Sequence, residues 1–132
     1  MDHRMIASGT TQIALGALSG WPLAALYGDP RLRERLGVQD LTRLRQAHLD
    51  VIIMGGLLTA AGTVEGIPAW AANAARVGAW TNPLLFAPLA FQPKAFASKA
   101  YVAASVASFT VTCAGWLGIA AAARRARRSA RG

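Results

Sequence analysis

Charged and apolar residues occur in separate blocks along this chain. Two segments, residues 5–28 and 100–123, contain no Asp, Glu, Lys or Arg, and each is long enough to cross a hydrocarbon core as a helix. The first segment carries Ser8 and Gln12 and continues to Trp21 without a clear cleavage site, which argues against a cleaved signal peptide. The pattern therefore predicts membrane spans at about residues 5–27 and 100–123.

The middle of the chain predicts two further spans, at about residues 46–64 and 67–91, although both contain polar residues. His48 and Asp50 fall in the second span and Arg76 falls in the third. If neither segment crossed, WTNPLLFAPLAF at residues 80–91 would be a large apolar patch in water, which folded surfaces rarely tolerate. We therefore expect an all-α fold, a single membrane domain over residues 1–132 built as a four-transmembrane-helix bundle, with a basic C-terminal tail at 124–132.

Composition agrees with a membrane protein. Of the 132 residues, 54% are hydrophobic and 15% are charged, and the formal net charge is +8. Basic residues beside lipid explain this excess, and no aromatic–basic motif accompanies them, so we expect lipid and no nucleic acid as partner. Cys113 is the single cysteine, which predicts neither a disulfide nor a two-cysteine redox pair.

The numbers of basic residues on the two sides of the predicted membrane are nearly equal, so the positive-inside rule does not set the orientation. Arg4 and the tail RRARRSAR lie on one side, opposite the loop residues Arg31, Arg33, Arg35, Arg43, Arg45, Lys94 and Lys99. The tail contains no acid and so suits an anionic inner leaflet. We expect cytoplasmic termini in a bacterial-type inner (plasma) membrane.

A histidine and an aspartate open the second predicted span, where polar side chains usually pair or carry function. His48 and Asp50 point about 200° apart around a helix, so they do not form a side-by-side pair. Three roles fit His48: an imidazole wetted at the interface, a metal or haem ligand, and a proton relay. Asp50 fits a solvated or Arg-paired charge, or a partner of Gln46. Arg76 would pair with Asp50 or Glu65, a cofactor carboxylate, or the interface.

Prolines mark the third predicted span. Pro83 and Pro88 lack the amide hydrogens that would bond to the carbonyls of Ala79 and Leu84, so we expect kinked backbone there. Irregular backbone in a membrane is buried in protein or lines a cavity. This places Asn82 at a pocket.

Two motifs give the chain a family resemblance. AHLDVIIMGG in the second predicted span and GAWTNPLLFAPLAF in the third resemble the small four-helix membrane isomerases that include styrene-oxide isomerase and hydroxylaminobenzene mutase. In that group the second span opens with a histidine, often followed by leucine and an acid, and the third carries an aromatic residue, a small residue and an asparagine. The matching residues here are His48, Leu49, Asp50, Gly55, Trp80, Thr81 and Asn82.

The resemblance implies a haem-dependent isomerase acting on a small apolar substrate. Styrene-oxide isomerase holds b-type haem through the histidine of its second span, assembles as a trimer, and uses ferric iron as a Lewis acid to convert an epoxide to an aldehyde without net redox change. Carried over, His48 would be the iron ligand, and Asn82 and Asp50 the catalytic candidates. The other residues expected to bind the cofactor are Met54, Gly55, Trp80 and Phe86.

Three positions depart from the pattern of the group. Met54 stands where the group has asparagine, Gly78 where it has an acid, and Phe86 where the epoxide isomerase has tyrosine. Because hydrogen-bonding groups are missing there, the resemblance favours a related rearrangement over that of styrene oxide. The alternative is a non-catalytic four-helix membrane protein, an accessory subunit or transporter-like, with or without haem. Residues 5–28 lack the membrane glutamate on which small multidrug exporters depend.

Overall fold

The computed structural model describes residues 1–130, over which the chain is 85% helical and contains no strand. The helices are α1 His3–Gly28, α2 Pro30–Arg35, α3 Leu41–Ala61, α4 Ala69–Leu84, α5 Ala87–Phe91 and α6 Lys99–Ser129, with a 3₁₀ turn at Pro93–Ala97. Side-chain oxygens of Asp2, Asp29, Asp40 and Ser98 accept backbone N–H bonds at the starts of α1, α2, α3 and α6. These caps fix where the helices begin.

The four long helices pack as two close pairs. α1 packs along α3, α4 packs along α6, and contacts between α3 and α4 join the pairs. Glycines allow the close approach: a Cβ at Gly9 would lie 2.7 Å from the Thr59 backbone nitrogen, and one at Gly115 would lie 2.8 Å from Ala75 Cα. A core of small and aliphatic side chains connects the helices, made of Met5, Leu58, Ala61, Ala72, Ala75, Ala79 and Ile119.

The third predicted span, residues 67–91, is not one continuous helix. α4 ends at Leu84, and α5 begins at Ala87. Pro83 is accommodated inside α4, whereas Pro88, the second residue of α5, has no amide hydrogen to donate to the carbonyl of Leu84. The Leu85 amide bonds to Asn82 as well as Thr81, which tightens the last turn.

The other predicted spans differ from the helices mainly at their ends. The span predicted at 46–64 corresponds to α3, which begins at Leu41 because Asp40 caps the Thr42 amide at 2.9 Å. The span predicted at 5–27 corresponds to α1. α6 continues past residue 123 through the first six residues of the predicted basic tail, 124–129, whereas residues 131 and 132 of that tail lie outside the described residues.

Within residues 1–130, one helix is long and apolar enough to cross a membrane, namely α6. α4 has 16 residues, which gives a length of about 24 Å. The fold is therefore all-helical with one candidate membrane helix. The four-span bundle predicted from the sequence is not confirmed by these helix properties.

We expect Gly115→Ala to destabilise the α4–α6 pair, because the new Cβ would lie 2.8 Å from Ala75 Cα. The expected loss is about 1–3 kcal/mol of unfolding free energy, measured as a lower melting temperature of the detergent-purified protein. Gly56→Ala is the matched control, since no atom lies within 4 Å of a Cβ at that position. Equal melting temperatures for the two variants would contradict the close crossing of α4 and α6.

Candidate functional site

A small apolar cavity lies where α1, α3 and the end of α4 meet. Its volume is about 300 Å³, and its walls are leucine, valine, alanine and proline side chains apart from Ser19 and His48. Leu23 and Leu26 come from α1, Val51 comes from α3, and Pro83 and Leu84 come from α4. The cavity therefore offers one titratable group in apolar surroundings.

The hydrogen bonds of Ser19 favour one tautomer of the His48 imidazole. Ser19 Oγ lies 2.8 Å from the Gly16 carbonyl oxygen and 2.9 Å from His48 Nδ1. A carbonyl oxygen can only accept, so it takes the single hydroxyl hydrogen of Ser19. The bond of Ser19 to the Gly16 carbonyl thus favours an Nδ1–H of His48 that donates to Ser19 Oγ. In a neutral imidazole this leaves a lone pair on Nε2.

The second ring nitrogen of His48 is left for a ligand. Nε2 has no hydrogen-bond partner among residues 1–130, and the imidazole lines the cavity. Gly20 lies beside the ring, since a Cβ there would be 3.5 Å from His48 Cε1. A neutral imidazole held by its other nitrogen is the usual arrangement of a histidine that binds a metal. It is also suited to accept a proton.

The other residues expected to contact haem lie away from this cavity. Met54 packs against the hydrophobic core, and Gly55 is buried against α1. Trp80 Nε1 donates to Ser8 Oγ at 2.9 Å, which joins α4 to α1. Phe86 lies at the break between α4 and α5. Of the expected cofactor-binding residues, His48 alone lines the cavity.

Asn82 is buried and connects α4 to α6. Its Oδ1 accepts a hydrogen bond from Ser108 Oγ at 2.5 Å, and the Thr81 hydroxyl lies 2.6 Å from the same Ser108 oxygen. Because Ser108 gives its hydrogen to Asn82, Thr81 donates to Ser108. Asn82 therefore serves the contact between two helices and does not line the His48 cavity.

Asp50 lies in a shallow groove on α3 with Arg45 and Gln46, apart from His48. No hydrogen bond joins Asp50 to Gln46, whose Oε1 accepts from Arg43 Nη1 at 3.1 Å. The structure thus separates the two polar residues that open the second predicted span, as their angular spacing on the helix requires.

The sequence contained no signal that singled out Ser19. It lies 29 positions before His48, in a helix where serine and threonine are common. Only the packing of α1 on α3 brings the two side chains together.

We expect Ser19→Ala to remove the preference of the His48 imidazole for one tautomer. In ¹⁵N NMR of the labelled, haem-free protein, at a pH where imidazole is neutral, wild type should show one tautomer with hydrogen on Nδ1. The variant should show a mixture of both tautomers, whereas Ser19→Thr, which keeps a hydroxyl, should retain one. His3→Gln removes the other imidazole and so assigns the signals. An unchanged single tautomer in Ser19→Ala would show that another group orients His48.

No family model, no curated protein and no solved structure matches this chain. Its function is therefore inferred from the residues of the site.

Proposed function

We propose that this protein is a four-span membrane protein that binds haem b through His48 and acts as an isomerase-like enzyme on a small apolar substrate. One observation carries the proposal: His48 lines an apolar cavity, with Nδ1 engaged by Ser19 and Nε2 without a partner among residues 1–130. The resemblance of the two sequence motifs to the small membrane isomerases supports the same assignment.

The distribution of exposed apolar side chains supports a membrane location for more than α6. Leu18, Trp21 and Leu57, on α1 and α3, are 65%, 81% and 48% exposed. α1 has 26 residues and α3 has 21, which correspond to about 39 and 31 Å, enough to cross a hydrocarbon core of about 30 Å. In the proposed bundle, α4 and α5 together would form the third membrane span.

The cavity offers the one protein ligand atom that haem iron requires. His48 offers one nitrogen, and haem needs no more from the protein because the porphyrin supplies the equatorial ligands. The volume of about 300 Å³ lies at the small end of the range for ligand pockets, roughly 300–1,000 Å³. A cofactor larger than this volume would extend beyond the cavity, as the trimer implied by the resemblance would allow.

Haem bound there would supply a Lewis-acidic iron for a redox-neutral rearrangement, such as that of an epoxide to a carbonyl compound. The chain itself would contribute orientation and an apolar environment. Ser19 holds the imidazole, and the leucine, valine and proline walls exclude water and favour an apolar substrate. Asn82 and Asp50 lie outside the cavity, so we assign them no step.

We expect the detergent-purified protein, expressed with ample haem supply, to show a Soret absorption band. His48→Ala should lose or shift this band because the iron ligand is removed. His3→Ala is the matched control and should leave the spectrum unchanged, since His3 lies at the start of α1 outside the cavity. Circular dichroism and gel filtration would establish equal folding.

The same preparation shows whether haem is bound, and activity assays on it then separate an isomerase from a non-catalytic haem protein. A band that depends on His48 would justify assays with small epoxides and arylhydroxylamines. A wild type without a Soret band would contradict haem binding and favour a non-catalytic membrane protein.

A further inference from the structure

Arg76 is a charged residue in the middle of α4. It lies seven positions after Ala69, the first residue of the helix, or about 10 Å along the axis. Its neighbours on the helix surface are Asn73, Val77 and Trp80, with which it lines a groove of about 390 Å³. The buried residues Ala72 and Ala79 lie four positions before and three positions after Arg76, so they flank it on one side, and Arg76 itself is half-buried. Arg76 thus lies at the edge of the face that α4 packs against the other helices, with part of its side chain in the groove.

The charge of Arg76 is not neutralised by residues 1–130. No carboxylate in that part of the chain forms an ion pair with it, so neither Asp50 nor Glu65 is its partner. Its Nη1 donates a long hydrogen bond of 3.3 Å to Asn73 Oδ1, and its Nε is buried without a partner. A guanidinium in apolar surroundings is costly unless an anion or another acceptor pairs with it.

The groove at Arg76 borders a second, apolar groove. The second groove, of about 380 Å³, lies between α4 and α6 and shares Val77 and Thr81 with the first. We call the two together the α4 trough. Beyond Thr81 its walls are Leu84, Leu85, Ala104, Ala107, Ser108 and Val111. The α4 trough therefore has a cationic end and an apolar body.

The polar groups at the cationic end offer donors. Asn73 turns its Oδ1 toward Arg76, which leaves its amide hydrogens for another acceptor. The indole N–H of Trp80 is already used by Ser8, so the ring contributes an apolar wall. A carboxylate matches this set, because its two oxygens can accept from a guanidinium and an amide at once, and a single negative charge on an apolar chain suits the apolar body of the trough.

We propose that the α4 trough binds an apolar monocarboxylate, with its carboxylate at Arg76 and Asn73 and its apolar chain along α4 toward Leu85. From Arg76 to Leu85 the helix rises about 13 Å, which suits a medium-length chain. This site is separate from the His48 cavity and does not depend on haem.

The test uses the full-length protein in nanodiscs of zwitterionic lipid, with carboxyl-¹³C decanoate and its methyl ester as probes. Binding is followed by ¹³C NMR titration. Wild type should bind the acid at least tenfold more tightly than the ester, because only the acid pairs with Arg76. Arg76→Gln should lose that preference. Arg31→Gln, at an exposed position of α2, is the matched control for loss of one positive charge.

A second variant keeps the test informative if Arg76→Gln folds poorly. Ala107→Phe narrows the apolar part of the trough and should weaken binding of both probes, without changing which is preferred. His48→Ala should bind decanoate as wild type does, so loss of the haem band leaves this measurement intact. Equal affinity for acid and ester, binding unchanged in Arg76→Gln, or no binding of decanoate by wild type would overturn the proposal.

Discussion

The close packing of α1 on α3 is the constraint from which the His48 site follows. Gly9 and Gly16 have no room for a side chain, since a Cβ on either would overlap α3. This approach brings the Ser19 hydroxyl within 2.9 Å of His48 Nδ1. A wider separation of the two helices would break that hydrogen bond, and the imidazole would no longer be held in one tautomer. The chemistry of the cavity thus depends on glycines that do not line it.

Buried polar side chains also fix how the helices pack, because in apolar surroundings they need hydrogen-bond partners. Pairs such as Trp80–Ser8 and Asn82–Ser108 are satisfied between helices, and each fixes the relative position of its two helices. Gln12 differs, because both polar atoms of its buried side chain lack a partner among residues 1–130. An unpaired amide in the core is destabilising. The structure gives no physical account of its retention.

The sequence predicted the features that follow from the physical properties of a single residue type. The blocks of apolar residues predicted the long helices, and the depth of His48 in one of them marked it as a candidate ligand. Pro83 and Pro88 predicted irregular backbone, and the break in the helix lies between them: Pro83 is the second-last residue of α4 and Pro88 is the second residue of α5. The partners of these residues were not predictable. Ser19 and Ser108 lie 29 and 26 positions from His48 and Asn82, and tertiary packing alone selects them.

The end of α4 connects the two proposed ligand sites. Leu84 lines both the His48 cavity and the apolar part of the α4 trough. It is the last residue of α4, directly before the break between α4 and α5. A change of backbone at this break would therefore move a wall of each site at once. The proposed haem and carboxylate sites are chemically separate, at His48 and at Arg76, yet the short segment from Pro83 to Pro88 contributes walls to both.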